Sequence, residues 1–566
     1  MPSALDEYNE TYSSSTITRN LMVLNENLLT YKRTFNERHT IDFLAGASFQ
    51  VDEMQSVGGW GKDAPSDLIH YVSWNGNVYD TKNSRALKDF MSDKERSTLV
   101  GLFGRVNYNY LQRYFASVTL RRDASSKFGE KVRWGTFPSY AVAWTFSGER
   151  FMDWSRGILE HGKMRASYGK SGRQFDQPYI SQGLLQPGNP FLGNPAIEPN
   201  LQLGLANREL TWEETEQYDF GLDLDMLDHR LNIVLDYYYR YTDKLLYSVL
   251  LPGDYSSYAQ QWRNAYTISN EGIELEIKYD VIRKQDLNWN VGFNISRNWN
   301  RLEKSENNQD FQTEGNRNNM CVIGKPLNGI FVYKTRGIYN EENEIPRFYR
   351  DGKYTPLGTN TQYYRPGDRL IIDVNGDGKI SSTEGNDRVY AGSPLPLANG
   401  GITSSLGWNG FDLNLLFNYV IGRHILNTAR GASVGTALGM FVSDITKPVF
   451  EDLANVAFWQ QPGDKADYPA NRLEAGLNNF GTSIDANVQK VNFIKLKTIT
   501  LGYTLPGVIK KKIGFGARVF VSAENLFTIT NYTGADPESV DIVTGVDNLG
   551  NYPLSRRVTI GLTLNL

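Results

Sequence analysis

The chain has 566 residues, a formal net charge of −4 at pH 7 and a single cysteine, Cys321. The slightly acidic balance gives no overall positive field that would attract nucleic acid, so nucleic acid is not an expected partner. One cysteine excludes an internal disulfide framework and zinc sites built on cysteine pairs, and no histidine lies in an H-E-x-x-H arrangement.

The first residues, Met1–Glu7, contain neither a basic region nor an apolar stretch, so they do not match a signal peptide. No run of about 18 apolar residues occurs, so no membrane-spanning helix is predicted. The mean hydropathy is −0.45, a value that a soluble protein would also have. Membrane β-barrels escape these criteria, because their apolar residues alternate with polar ones instead of forming a continuous run.

Alternation of apolar and polar residues is the dominant pattern along the chain. It runs through Glu216–Met226, Leu231–Tyr241, Trp289–Ser296, Phe411–Tyr419 and Arg556–Leu566. Runs of about 9–12 residues match what a tilted strand needs to cross a bilayer and exceed the usual globular strand. About 15 or 16 such strands are predicted. They begin near residues 17, 37, 99, 113, 137, 162, 215, 230, 268, 286, 365, 398, 411, 489, 516 and 556.

The alternating runs favour a membrane barrel over a large soluble β protein. Their polar face is rich in Asn, Asp, Ser, Thr and Arg, which suits a water-filled interior more than a second packed core. Aromatic residues make up 13% of the chain, and many of the tyrosines stand near strand ends, as interfacial girdles require. The structural alternative is a soluble sandwich pair or propeller, but no fixed repeat with a blade signature is present.

The connections between the predicted strands differ strongly in length. Tyr110–Arg113, Leu227–Arg230 and Trp408–Phe411 are predicted tight turns, whereas long loops are predicted near 51–98, 172–213, 242–267, 300–364 and 428–487. Outer-membrane barrels show this asymmetry between their two ends. Aromatic residues in the long loops are candidate substrate-binding residues, although packing of the loops on each other explains each of them equally well. They are Trp60, Trp74, Tyr255, Tyr258, Trp262 and Trp459.

Asp373–Glu384 fills the D-x-[DN]-x-[DN]-G-x5-E pattern of a calcium-binding loop. Residues that read as strand precede and follow it, so it lacks the helix pair that a calcium sensor opens, and a structural Ca²⁺ is predicted. The alternative is a turn rich in Asp and Asn without a bound ion. The expected ligands are Asp373, Asn375, Asp377, the Lys379 carbonyl, Ser381 and Glu384, with Asp387 as an alternative to Glu384.

Several blocks of sequence, none decisive alone, occur in an order that matches one known family. They are Gly104–Tyr110, Leu120–Gly129, Arg133–Ser139, Lys163–Gly169, Glu214–Asp223, Glu271–Glu276, Phe493–Tyr503 and Ala523–Phe527. With these blocks and the 373–384 loop, the chain resembles the SusC/RagA family of TonB-dependent outer-membrane transporters from about Leu99 to its last residue.

The resemblance implies an all-β fold, an antiparallel transmembrane β-barrel of about 22 strands plugged by an N-terminal domain. It also implies a SusD-like surface lipoprotein, energy supplied by TonB, and import of an oligosaccharide or a peptide across the outer membrane. We expect residues 1–566 to be the C-terminal barrel portion, with the plug, the TonB-contacting segment and the first strands missing. The last residue, Leu566, departs from the aromatic residue with which family barrels usually end.

Transport is therefore the predicted function, and no enzymatic activity is predicted. The competing hypothesis is a secreted or surface all-β protein that binds or degrades glycans. A glycan hydrolase needs two carboxyl groups placed on either side of the bond that breaks. Candidates such as Glu216 and Asp219 are separated by alternation onto opposite faces of one strand.

Overall fold

The computed structural model describes residues 12–62, 79–80, 85–86, 88–176, 178–183, 185–191, 194–201, 204–251, 258, 260–312, 319–350, 352–359, 362–381, 387–428, 457–466, 468–470, 483–507, 514–547 and 552–565. Most of these residues lie in β-strands, and fifteen of the strands they form are nine residues long or longer. Within the same residues, no helix has the length and apolar character needed to cross a membrane.

The chain divides into two compact units. The first contains Met1–Trp144, Ala166–Tyr218 and Thr242–Tyr266. Its N-terminal strands form an antiparallel meander in which each strand pairs with the next, and the first hairpin is in register from Tyr12↔Lys62 to Phe35↔His39. These strands are Tyr12–Phe35, His39–Lys62, Lys88–Tyr110, Tyr114–Ser125 and Trp134–Thr145.

The second unit contains Thr145–Arg165, Asp219–Tyr241 and Thr267–Leu566. Its long strands also pair in chain order and antiparallel. They are Gln260–Arg283 (from Thr267 onward), Leu287–Lys304, Ala398–Trp408, Phe411–Asn427, Val488–Thr504, Gly516–Glu524 and Arg557–Asn565. The remaining long strands, Leu159–Arg173, Glu213–Met226 and Leu231–Leu250, have residues in both units.

One face of the strands exposes a row of apolar side chains. In the strand Arg557–Asn565, Val558, Ile560, Leu562 and Leu564 are 65%, 76%, 62% and 51% exposed. Directly opposed residues of neighbouring strands share a face, and Ile560 lies opposite Val521 in the ladder. A soluble β protein would bury such a row, whereas a membrane barrel turns it toward lipid. The predicted all-β, antiparallel architecture is thus confirmed.

The opposite face carries ion pairs that reach across glycines. Arg518 donates to both carboxylate oxygens of Asp412, at 3.0 Å from Nε and 2.5 Å from Nη2. Gly502 lies between them, since a Cβ there would stand 2.4 Å from Asp412 Oδ1 and 2.5 Å from Arg518 Nη2. Arg165 in the same way binds Asp223 and Asp236, with Gly221 beneath its guanidinium. These pairs satisfy charges on a strongly polar face.

The connection between Lys304 and Ala398 has a core of its own. Three small sheets form in it: Gly329–Tyr333 with Arg388–Gly392, Thr335–Ile338 with Arg369–Ile371, and Arg347–Arg350 with Lys353–Pro356. Burial of apolar side chains between them stabilises the connection as an ordered body. The buried side chains are Tyr339, Ile345, Leu357, Tyr364, Ile371 and Ile380.

The strands differ from the sequence prediction at several places. The long strand predicted near residue 365 is wrong: only Arg369–Ile371 is strand, because Asp368 closes a turn with Arg365 and Gly367 takes a φ of +89°. Other strands run farther than predicted. Pairing continues to Lys62 and resumes at Lys88, so the ladder occupies part of the loop predicted near 51–98. Strand residues 242–250 and 260–267 likewise occupy much of the loop predicted near 242–267.

Candidate functional site

The predicted calcium loop lies between two short strands. Arg369–Ile371 precedes it and Arg388–Gly392 follows it, as the sequence predicted. The loop is described up to Ser381 and again from Asp387, so Glu384 lies outside the described residues. A backbone hydrogen bond of 2.7 Å from Ile380 N–H to the Gly358 carbonyl ties the loop to the core of the connection. The loop is thus attached to the folded connection and is flanked by strands rather than helices.

Three Asp and Asn side chains fold back onto the backbone of the loop. Asp373 accepts the N–H groups of Gly376 and Gly378 at 2.7 and 2.8 Å, one on each carboxylate oxygen. Asn375 Oδ1 accepts the N–H of Asp377 at 2.9 Å, and Asp377 Oδ1 accepts the N–H of Lys379 at 2.8 Å. Such Asx turns hold side-chain oxygens close to a tight backbone curve.

Glycine is required at two positions of this curve. Gly376 and Gly378 have φ values of +75° and +78°, which strain other residues. A Cβ on Gly378 would also stand 2.6 Å from the Phe348 ring. Gly378, the sixth residue of the pattern, is therefore required both for its backbone conformation and for its packing.

Asp387 closes the loop from its far side. Its two carboxylate oxygens accept the N–H groups of Val374 and Ser381 at 2.9 and 2.8 Å, and the side chain is buried. Burial raises the pKa of the Asp387 carboxyl, an effect reinforced by Asp373 and opposed by these N–H donors. Asp387 was an alternative ligand in the sequence interpretation, and the structure places its carboxylate against Val374 and Ser381 of the loop.

The oxygen-rich loop has the chemistry of a hard-cation site. Carboxylate, amide and main-chain oxygens are the donors that Ca²⁺ takes, six to eight at a time. Among the described residues, however, no three His, Cys, Asp or Glu side chains are grouped closely enough to hold a metal. Asp373, Asn375, Asp377 and Asp387 surround one turn, with Asp373 and Asp387 close enough to interact electrostatically. The full predicted ligand set also needs Glu384.

The candidate substrate-binding aromatics occupy different environments. Trp60 is half-buried in a strand, and Trp262 is half-buried with its carbonyl accepting a 2.9 Å hydrogen bond from Asn207. Tyr258 is half-buried, while Trp74 and Tyr255 lie outside the described residues. Trp459 is 7% exposed and donates its Nε1–H to Asn340 Oδ1 at 3.0 Å. Trp459 is therefore a packing residue of the loops in this structure.

A cavity that the sequence interpretation missed lies elsewhere in the second unit. It has a volume of about 670 Å³ and is lined by Tyr239, Arg297, Trp299, Arg301 and Tyr390, among others. A signal for it was present in the sequence. In the strand Leu287–Lys304, every second residue up to Ile295 is apolar. The same alternation then continues with charged and aromatic side chains, Arg297, Trp299 and Arg301.

Comparisons with known proteins agree with this architecture. The family described as "TonB dependent receptor-like, beta-barrel" matches residues 4–383. "TonB-dependent receptor P39" of Formosa agariphila is 31% identical over 571 residues, covering 95% of this chain and 52% of that protein. "TonB-dependent receptor SusC" of Bacteroides thetaiotaomicron is 28% identical over 517 residues, covering 87% and 46%. The chain thus spans about half the length of the curated relatives it matches.

Among solved structures, that of the RagAB peptide transporter aligns with a TM-score of 0.74 at 22% identity. The alignment covers 98% of this chain and 56% of the RagAB chain. The RagAB peptide importer in its "open-open" state gives a TM-score of 0.75 at 21% identity. These matches support the same barrel fold.

Proposed function

Because the chain belongs to the TonB-dependent receptor-like β-barrel family and lies in the cell outer membrane, we propose that it is the barrel portion of a nutrient importer of the SusC/RagA type. Our first candidate for the cargo is an oligosaccharide and the second is a peptide. RagAB is described as a peptide transporter, and that description concerns RagAB alone. Half-buried aromatic residues near strand ends, such as Trp60 and Trp262, support the oligosaccharide, since sugar faces stack on rings.

The observation that carries this proposal is the division of the strands into two faces. Val558, Ile560 and their neighbours expose an apolar row suited to lipid, whereas the other face holds Arg518 paired with Asp412. Ion pairs on the inner face of a barrel suit a water-filled passage, because charges there remain hydrated. A passage with a polar lining is what the import of a polar nutrient needs.

The importer is proposed to work with two partners and to catalyse no reaction. A SusD-like surface lipoprotein would deliver the nutrient, and TonB would supply energy through an N-terminal segment of the receptor. No bond is made or broken in such a cycle. The competing hypothesis, a glycan-degrading or glycan-binding protein, does not require the exposed apolar row.

An uptake experiment tests the transport proposal. Cells lacking the gene for the receptor that contains this chain should lose uptake of one labelled pool, either oligosaccharides or peptides. Restoring the gene should restore uptake, and collapse of the proton-motive force should abolish it, because TonB draws on that force. Cells that carry the turn variant Gln112→Gly serve as the matched control and should import at the unmodified rate.

Two outcomes would count against transport. Uptake of both pools that is unaffected by deletion would remove the proposed activity. New reducing ends after incubation of the purified receptor with glycans would favour the enzyme hypothesis instead.

We also infer that the loop Asp373–Glu384 binds a structural Ca²⁺. Support comes from the spacing of its oxygen donors and from the Asx turns that hold Asp373, Asn375 and Asp377 on one curve. Asp387, buried against the same loop, is the alternative to Glu384 as the closing carboxylate. Bound Ca²⁺ would neutralise these acidic side chains and stiffen the connection that carries them.

Terbium luminescence tests the calcium proposal on the purified receptor. Tb³⁺ should give a sensitised signal that Ca²⁺ displaces, and Asp373→Ala with Asp377→Ala should abolish it. The control, Asp153→Ala with Asp286→Ala, removes two carboxylates outside the loop and should leave the signal intact. At a hundred times the Kd, Ca²⁺ should stabilise the protein by about 3 kcal/mol in urea unfolding. An unchanged signal in the loop variant would refute the site.

A further inference from the structure

The strand Leu287–Lys304 changes character along one face. Val291, Phe293 and Ile295 lie on one face of this strand. On the same face of the paired strand Gln260–Arg283, Ile273 and Tyr279 are exposed. That face is the one turned toward lipid. Further toward the long connection 305–397, the same face carries a different set of side chains: Arg297, Trp299 and Arg301.

These side chains line the 670 Å³ cavity of the second unit. Trp299 lies opposite Glu271 in the ladder and Arg301 lies opposite Ser269, so all four side chains share the lipid-side face. Tyr239 and Tyr390 add two aromatic walls, and Lys325 Nζ stands 5.6 Å from the centre of the Tyr390 ring. The cavity therefore has aromatic walls, and its charged lining consists of two arginines, Arg297 and Arg301, and two glutamates, Glu271 and Glu303.

The two arginines of the cavity are not ion-paired. The Arg297 guanidinium lies over the Trp299 ring, 4.4 Å from its centre, and Arg301 is exposed. Within the part of the chain that the structure describes, neither has a carboxylate partner within salt-bridge distance, whereas Arg165 and Arg518 on the polar face are each paired with aspartate.

The carboxylates of the cavity already have donors. Glu303 accepts the Ser269 hydroxyl at 2.5 Å, and Glu271 accepts that of Tyr237 at 3.4 Å. Because these donors are hydroxyl groups and not the arginines, the two guanidinium groups remain the anion-binding groups of the cavity.

We propose that this cavity binds the phosphorylated headgroup of a lipid in the outer leaflet of the membrane. The site begins where the apolar row ends, which is the depth at which hydrocarbon gives way to headgroups. Guanidinium groups bind phosphate oxygens bidentately, and Trp and Tyr side chains favour the interface. Asn298 and Asn300, from the opposite face of the strand, also line the cavity. A lipid headgroup is not the proposed cargo, so its binding is a function separate from import.

Native mass spectrometry of the detergent-solubilised receptor tests the site. We would titrate it with a monophosphorylated glucosamine-based glycolipid and, in parallel, with the same glycolipid lacking phosphate. The phosphorylated lipid should bind at one equivalent, and Arg297→Gln with Arg301→Gln should weaken it at least about tenfold, through loss of charge-assisted hydrogen bonds. Arg33→Gln with Arg38→Gln removes the same charge from exposed arginines at a tight turn and should leave binding unchanged.

Three results would overturn the proposal. Equal binding of the dephosphorylated glycolipid would show that the phosphate is not recognised. If the variant Arg297→Gln with Arg301→Gln still runs as a heat-resistant, folded electrophoretic band and binds the glycolipid unchanged, these residues do not form the site. Displacement of the glycolipid by inorganic phosphate at equal concentration would show that a free anion, not a lipid, is the ligand.

Discussion

At the scale of single residues, glycines decide where charges can meet on the polar face. The Asp412 and Arg518 side chains come from strands on either side of the one that carries Gly502. Any side chain at residue 502 would occupy the space through which they pair. Gly221 has the same position beneath Arg165 and Asp236. A residue with no side chain thus permits a contact that spans three strands.

Gly502→Ala should destabilise the protein by about 1–3 kcal/mol, because the new methyl group separates Asp412 from Arg518. Gly104→Ala is the matched control, since the nearest atom to its added Cβ is 3.8 Å away, and it should change stability by less than about 1 kcal/mol. Urea unfolding in lipid vesicles, followed by tryptophan fluorescence, measures both. Equal stability of the two variants would contradict the role assigned to Gly502.

At the scale of elements, the tight turns share a backbone shape but not the same residues. Leu111 and Gln112 have φ values of 56° and 57°, and Arg113 N–H bonds to the Tyr110 carbonyl at 3.0 Å. Two successive positive φ values are typical of type I′ turns, for which Asn-Gly is the preferred sequence. Asn409-Gly410 supplies that sequence at another turn, with φ values of 47° and 89°. The turns predicted from the sequence are confirmed, including one with unfavourable residues.

Reciprocal substitutions at these turns should act in opposite directions. Gln112→Gly should stabilise the protein by about 1 kcal/mol, because glycine adopts positive φ without steric cost. Gly410→Gln should destabilise it by about 1–2 kcal/mol for the same reason. A Cβ there would also lie 2.7 Å from the Thr504 carbonyl oxygen. The urea midpoints of the two variants give the comparison, and shifts in the same direction would refute this account.

At the scale of the whole molecule, the period-two alternation of the strands separates apolar from charged residues in a way that a soluble fold does not require. Apolar residues stay exposed on one face, paired charges occupy the other, and the long connection after Lys304 folds around its own core. Membership of the TonB-dependent receptor-like β-barrel family explains this combination, since the membrane solvates the apolar row. The described part of the predicted calcium loop, residues 373–381, belongs to the folded connection, where a metal would stiffen the loop rather than move helices.

The sequence by itself determined the features that depend on near neighbours. Alternation predicted the strands and their apolar face, the short connections predicted the turns, and the spacing from Asp373 predicted the curved loop, because each arises within about a dozen residues. The strand predicted near 365 was wrong, because the turn at Arg365–Asp368 interrupts the segment while Tyr364 and Ile371 pack into the core of the connection.

Only the tertiary structure decided which distant residues meet. Asp412 and Arg518 are 106 residues apart, and Trp459 finds Asn340 across 119 residues. The cavity at Arg297 and Arg301 depends on Tyr239 and Tyr390, which strand register and loop packing bring beside them. Such contacts follow from pairing between strands far apart in the chain, which local patterns do not encode.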